Sequence, residues 1–124
     1  MFVHVATLYS VHPEVADNFI HFVRVGHWHR LARLAAPDLI AYDLLQHQSA
    51  PTPLFLCIDF WASREKYLRA RESGVYDHLL NMRSRLAAAT IDLGAFMFPS
   101  PAEPDTGIPQ IADLYAETEA RGSR

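Results

Sequence analysis

The sequence predicts an α+β domain of the ferredoxin-like kind, a βαββαβ chain whose antiparallel sheet carries its helices on one face. Four short runs rich in β-branched and aromatic residues, FVHVATLY (2–9), LIAYDLLQ (39–46), LFLCIDFW (54–61) and IDLGAFMF (91–98), read as strands. Longer segments with helical spacing separate the first run from the second and the third from the fourth. The two central runs are joined by SAPTP (49–53), two prolines among small residues, which makes them a hairpin.

Each element has a local cause. The first run is apolar at odd and even positions alike, as expected of a strand covered on both faces. Pro13 suits a first helical turn, and Glu14 and Asp17 complement the helix N-terminus that follows. This helix is expected to run to about Ala35, because Pro37 disfavours helical geometry at Ala36. Ser63 is the expected N-cap of a second helix, which Gly74 interrupts and VYDHLLNMRSRLAAA (75–89) resumes. Strands one, three and four are apolar on both sides, so a lone domain would expose a large apolar sheet surface; a homodimer packed sheet to sheet covers it. Residues 1–98 form the domain on this reading. Residues 99–124, rich in proline near their start and with a helical candidate at 111–120, form an extension able to act as a dimer-clasping arm.

With 124 residues the chain has length for one domain, and 50% apolar with 20% charged residues is the composition of a globular protein. A net charge of -3 provides no field for a phosphate backbone, so nucleic acid is not an expected partner. No stretch approaches the roughly 20 apolar residues of a membrane span, and the N-terminal segment lacks the pattern of a secretory signal, which predicts a cytoplasmic protein without a membrane partner. The single Cys57 forms no internal disulfide and no thiolate cluster.

The stretch VRVGHWHRLAR (23–33) brings His27 and His29 to either side of Trp28. On one continuous helix, Val23, Leu34, Ile20 and Leu31 fall within a sector from about 40° to 120°, with His27 near the middle at about 80°. His29 lies about 200° further round, so the histidines do not converge on one ion and no metal site is expected. His27 is then either a core histidine or a group lining a cavity between helix and sheet, where imidazole chemistry suits proton transfer near neutral pH.

In CIDFW, alternation puts Cys57, Asp59 and Trp61 on one face of the strand and Ile58 with Phe60 on the other. A carboxylate in the most apolar strand needs a partner: an arginine of the second helix, a histidine such as His27, or solvent at a strand end. A buried ion pair and a functional carboxylate that orients an imidazole both satisfy this. Tyr67 is placed to reach a ligand beneath the second helix. His78 and Arg83 border the stripe Val75, Leu79, Met82 and Leu86, and with Cys57 they are candidate substrate-binding residues.

The stretch DFWASREKYLRARESGVYDHLL, with the βαββαβ order and the length, resembles the antibiotic biosynthesis monooxygenase superfamily of dimeric α+β barrels over about residues 2–98. The resemblance implies a homodimer acting on a small aromatic or hydrophobic ligand. Members include enzymes that oxidise anthrone- or quinol-type aromatics with molecular oxygen and no cofactor, and others that degrade haem. Carried over by position, the strand-end tryptophan is Trp61, the acid before it Asp59, and the tyrosine of the anthrone-oxidising branch Tyr67. The sequence departs from that branch at Cys57, where it places an asparagine, and from the quinol pattern at Arg71, where a histidine is usual. The haem-degrading branch calls for a histidine near Leu80 and an asparagine near Thr7, and His78 is out of phase by two. The resemblance therefore ranks cofactor-free oxidation first, with His27 as base, Asp59 orienting it, and Trp61 and Tyr67 holding the ring; haem degradation and a non-catalytic hydrophobic-ligand module are the alternatives.

Overall fold

A computed structural model describes residues 2–99 of the chain. The strands are β1 (Val3–Ser10), β2 (Leu39–Gln46), β3 (Leu54–Trp61) and β4 (Ala89–Phe96), and the helices are α1 (Ala16–Arg24), α2 (His27–Ala35), α3 (Arg64–Glu72) and α4 (Val75–Ser84). The strand order is β2-β3-β1-β4 with every neighbouring pair antiparallel, the sheet of a ferredoxin-like α+β fold. The extension at residues 99–124 lies, apart from Pro99, outside the described residues.

Register explains which side chains enter the core. Val3, Val5, Thr7 and Tyr9 of β1 oppose Trp61, Asp59, Cys57 and Phe55 of β3, and all eight are buried on the helix-covered face. This is the period-2 alternation of a strand with one packed face. The same period leaves His4 and Leu8 on the other face beside Leu56, Ile58 and Phe60, all half-buried. On β4 the exposed Ile91 and Phe96 pair with Leu8 and His4 of that open face. Phe19, Trp28, Tyr76 and Leu79, all fully buried, fill the layer between helices and sheet.

Ser63 caps α3 as expected, its Oγ accepting from Lys66 N at 3.2 Å. Gly74, at φ 81°, turns the chain from α3 into α4, a conformation that glycine adopts without steric cost.

The first helical region corrects the sequence reading, because it is two helices. The amides of Val25 and Gly26 both bond to the carbonyl of His21, at 3.0 and 2.8 Å, and the second of these, reaching back five residues, widens the last turn and ends α1. The Gly26 carbonyl then accepts from Arg30 N at 3.2 Å as α2 begins. A Cβ on Gly26 would stand 2.9 Å from Phe22 Cα and 3.0 Å from the His21 carbonyl oxygen, so only glycine permits the chain to fold back this tightly. The break resets the helical phase. Trp28 turns inward and is 0% exposed, whereas Leu34, assigned to the apolar stripe on one continuous helix, is 84% exposed. Two smaller shifts occur further along: α4 ends at Ser84 instead of continuing to residue 89, and β4 begins at Ala89.

Candidate functional site

Five of the seven residues singled out from the sequence lie in or against one buried cluster. Asp59 on β3 and Arg83 on α4 are both 0% exposed and form a two-point ion pair, Nη1 to Oδ1 at 2.8 Å and Nη2 to Oδ2 at 2.8 Å. The Tyr76 hydroxyl donates to Oδ2 at 2.5 Å, and the Cys57 thiol lies 3.7 Å from Oδ1. Arg83 Nε donates to the Tyr9 hydroxyl at 2.6 Å, and its guanidinium stands 4.7 Å over the Trp28 ring. The Trp28 indole N–H donates to the Leu79 carbonyl at 2.8 Å. Trp61 packs edge-on against Tyr76 with centroids 4.9 Å apart, and Tyr67 lies beside both rings, 6.2 and 6.0 Å away.

The electrostatics follow from burial combined with one opposite charge. Burial alone would lower the pKa of Arg83, but the adjacent Asp59 carboxylate overrides it and raises the value well above the ordinary one. Burial pushes Tyr9 up to about 12 against the lowering influence of Arg83. Burial and then the Asp59 charge push Tyr76 up, and burial pushes the Cys57 thiol up, so both stay protonated at neutral pH. The carboxylate already accepts from a guanidinium, a phenol and a thiol, so Asp59 has no capacity left to orient an imidazole or take a substrate proton. Of the partners considered for it, the arginine of the second helical region is the one present.

His27 and His78 lie elsewhere. Both are exposed, and His27 faces solvent because the break at Gly26 hands the inward position to Trp28. The pairing of His27 with Asp59 expected from the continuous helix is therefore corrected: the two are not brought together, and the space between helices and sheet is filled by aromatic rings and the ion pair. His78 projects from the outer side of α4 instead of rimming an interior pocket.

The openings lie at the rim of the fold. A recess of about 240 Å³ is bounded by Pro37, Trp61, Lys66 and Val75. A groove of about 1110 Å³ runs between the α1–α2 flank and the outer edge of β2, and His29, Ala32, Arg33 and Tyr42 are among its walls. There the His29 Nδ1 and the Tyr42 hydroxyl are 2.6 Å apart, and Tyr42 donates to the Val23 carbonyl at 2.8 Å. The reading of one continuous helix turned His29 away from any site. Gly26, placed between Val25 and the histidine pair, was the signal that a new helix begins there.

No family model and no curated protein matches the sequence. Solved structures do match the fold. SnoaB, a cofactor-independent oxygenase from Streptomyces nogalater solved as a mutant, is 17% identical with a TM-score of 0.55 over 82% of this chain and 98% of its own. A protein from Nitrosomonas europaea, provisionally described as an antibiotic biosynthesis monooxygenase, is 14% identical with a TM-score of 0.55 over 82% and 94%. An uncharacterised NIPSNAP-like domain protein from Burkholderia xenovorans is 16% identical with a TM-score of 0.54 over 90% and 97%. The chain has the antibiotic biosynthesis monooxygenase-like fold.

Within that fold, haem does not suit the residues present. Leu80 is half-buried and Thr7 buried at the positions where the haem-degrading branch calls for histidine and asparagine, and His78 points to solvent. Among the described residues no imidazole faces the filled interior, so none is placed to hold a haem iron there. Among the described residues, no three His, Cys, Asp or Glu side chains gather as a metal-ligand set, and no helix is long and apolar enough to cross a membrane.

Proposed function

We propose that the protein is a cytoplasmic homodimer that binds a small aromatic ligand and oxidises it with molecular oxygen without a cofactor. The observation that carries this reading is the likeness of the fold, over 82% of this chain and 98% of the other, to a cofactor-independent oxygenase. The chemistry asks little of a protein beyond a dry surface, a proton acceptor and fixed donors. A phenolic, quinolic or anthrone-type substrate loses a proton to a base, and its anion passes one electron to oxygen. The resulting radical and superoxide join as a peroxide, which takes up a proton. The O–O bond then breaks as the second C–H proton leaves, so a methylene group and one O2 become a carbonyl and one water. The Asp59–Arg83–Tyr76 cluster supplies no proton acceptor to this scheme and acts as its rigid frame. The base belongs on the rim.

The saturated state of Asp59 favours one second reading, a dimer that binds the same class of ligand without turnover. Oxygen uptake by the full chain in chelator-treated buffer, with anthrone and a simple hydroquinone, decides between them. The oxygenase reading expects consumption above the protein-free rate with at least one substrate, in a one-to-one ratio of O2 to substrate. Consumption no faster than without protein, together with ligand binding, turns the assignment to the binding dimer.

A further inference from the structure

We propose that the groove between α2 and the outer edge of β2 binds a hydroxylated aromatic acid, with His29 accepting the hydrogen of the ligand's hydroxyl and Arg33 matching its carboxylate. This rests on the small-ligand reading above and adds the place and the chemical class of the ligand.

The hydrogen bonds around Tyr42 fix the tautomer of His29. Tyr42 has one hydroxyl hydrogen, and the Val23 carbonyl at 2.8 Å, with that of Arg24 at 3.3 Å, only accepts. Both carbonyls belong to the last turn of α1, which lacks following amides to bond them. The hydroxyl hydrogen is thus committed to the helix end, and the Tyr42 oxygen must accept from His29 Nδ1–H across 2.6 Å. The neutral ring then carries its lone pair on Nε2, which makes no hydrogen bond to the described residues. Burial raises the Tyr42 phenol to about 12, so it stays in the donating form that this relay requires.

Spacing supplies the rest of the site. His29, Ala32 and Arg33 stand at i, i+3 and i+4 on α2, and with Ala36 at its C-cap they line the groove. The nearly buried Ala32 and Ala36 set the depth of the floor, and Val25, Ile40 and Leu45, 57%, 49% and 51% exposed, give it the apolar surface against which an aromatic face can lie. His29 and Arg33 flank that floor with Cβ atoms about 5–6 Å apart, as i, i+4 neighbours are. Arg33 is exposed and has no ion pair among the described residues. Asp43 also lines the groove and has an interaction of its own, and Arg24 and Arg33 against this one carboxylate leave an excess of positive charge. An apolar floor, one acceptor and one cation fit a flat ring system with a hydroxyl at one end and a carboxylate at the other. Where the ligand's proton is acidic enough, the same contact is the deprotonation step: the proton passes to Nε2 and the electron pair stays on the ligand.

The test uses three probes with the full chain: 6-hydroxy-2-naphthoate, 2-naphthol without the carboxylate, and 6-methoxy-2-naphthoate without the donor. The site expects the hydroxynaphthoate to bind about tenfold or more tighter than either, the usual scale of one charge-assisted hydrogen bond. Arg33→Gln removes the advantage over naphthol, and His29→Ala removes the advantage over the methyl ether. Tyr42→Phe, which keeps an aromatic ring on the groove wall and frees the tautomer, shrinks that second advantage in the same direction and serves should His29→Ala unfold. The proposal is overturned if the three probes bind alike, or if Arg33→Gln and the His29 or Tyr42 variant leave the preferences in place. A protein that keeps these preferences but consumes no oxygen sinks only the oxygenase reading. One that consumes oxygen with preferences indifferent to Arg33 and His29 sinks only the groove.

Discussion

Asp59 shows how far a single residue is legible from a sequence. A carboxylate at an inward position of an apolar strand announces that it needs a partner, and that much was readable. Which partner it takes depends on where α4 crosses the sheet, and only three-dimensional packing fixes that. The pair is better understood as a device that would be costly to break than as a net source of stability. Asp59→Ala leaves the Arg83 guanidinium buried with no counter-charge and is expected to cost about 3–5 kcal/mol in urea unfolding, a large part of a typical domain's total. The double variant Asp59→Leu with Arg83→Met is expected to recover most of the loss. Equal instability of the single and double variants would show that the cluster's shape, not its charge, is what matters. Tyr9 adds a dependence on pH. An unfolded tyrosine titrates near 10, whereas burial holds folded Tyr9 at about 12, so the folded state keeps its proton longer. Stability from this group is complete below about pH 10 and is lost as pH rises through about 12. Urea midpoints should fall over that range as the tyrosinate absorbance rises, and a midpoint flat up to about pH 12 would contradict it.

Among the elements, β2 and β3 have the bounds read from the sequence, because alternation and the SAPTP turn mark them from within. The first helical region did not yield so easily. Its apolar periodicity is genuine on each side of Gly26, but a helical wheel assumes an uninterrupted phase, and two amides sharing the His21 carbonyl abolish it. The error travelled from one residue to the functional reading, since it exchanged Trp28 for His27 in the core and hid His29. Gly26 should therefore be more sensitive than its exposed neighbours. Gly26→Ala presses a methyl group onto backbone atoms of His21 and Phe22 and is expected to cost about 1–3 kcal/mol, the range of an overpacked interior site. Gly74→Ala meets open space and strains only its backbone, for a loss of about 1 kcal/mol. Chemical denaturation of both variants checks the ranking; a harmless Gly26→Ala would mean that the α1–α2 corner yields easily.

For the whole molecule, the fold was legible because four strands and their connections leave few topologies open, while the location of a site was not, because it depends on which faces the packed layer leaves free. One free face is the sheet surface away from the helices. Ile91 and Phe96 are 57% and 54% exposed there, next to the half-buried Leu8, Ile58 and Phe60, so a single chain presents to water an apolar surface of the kind that monomers rarely tolerate. A second copy laid on this face turns that liability into the core of an interface, and stable interfaces cover about 800 Å² on each partner. Because Ile91 and Phe96 are each more than half exposed, lysine at both positions should change monomer stability by no more than about 0.5 kcal/mol apiece. In the proposed dimer the same lysines must be desolvated without partners, at several kcal/mol each. Sedimentation of the Ile91→Lys, Phe96→Lys variant is accordingly expected to give half the mass of the native protein at micromolar concentration, with unchanged circular dichroism. If the native chain already sediments as a monomer, or if the doubly charged variant stays paired, the sheet is not the surface on which two copies meet.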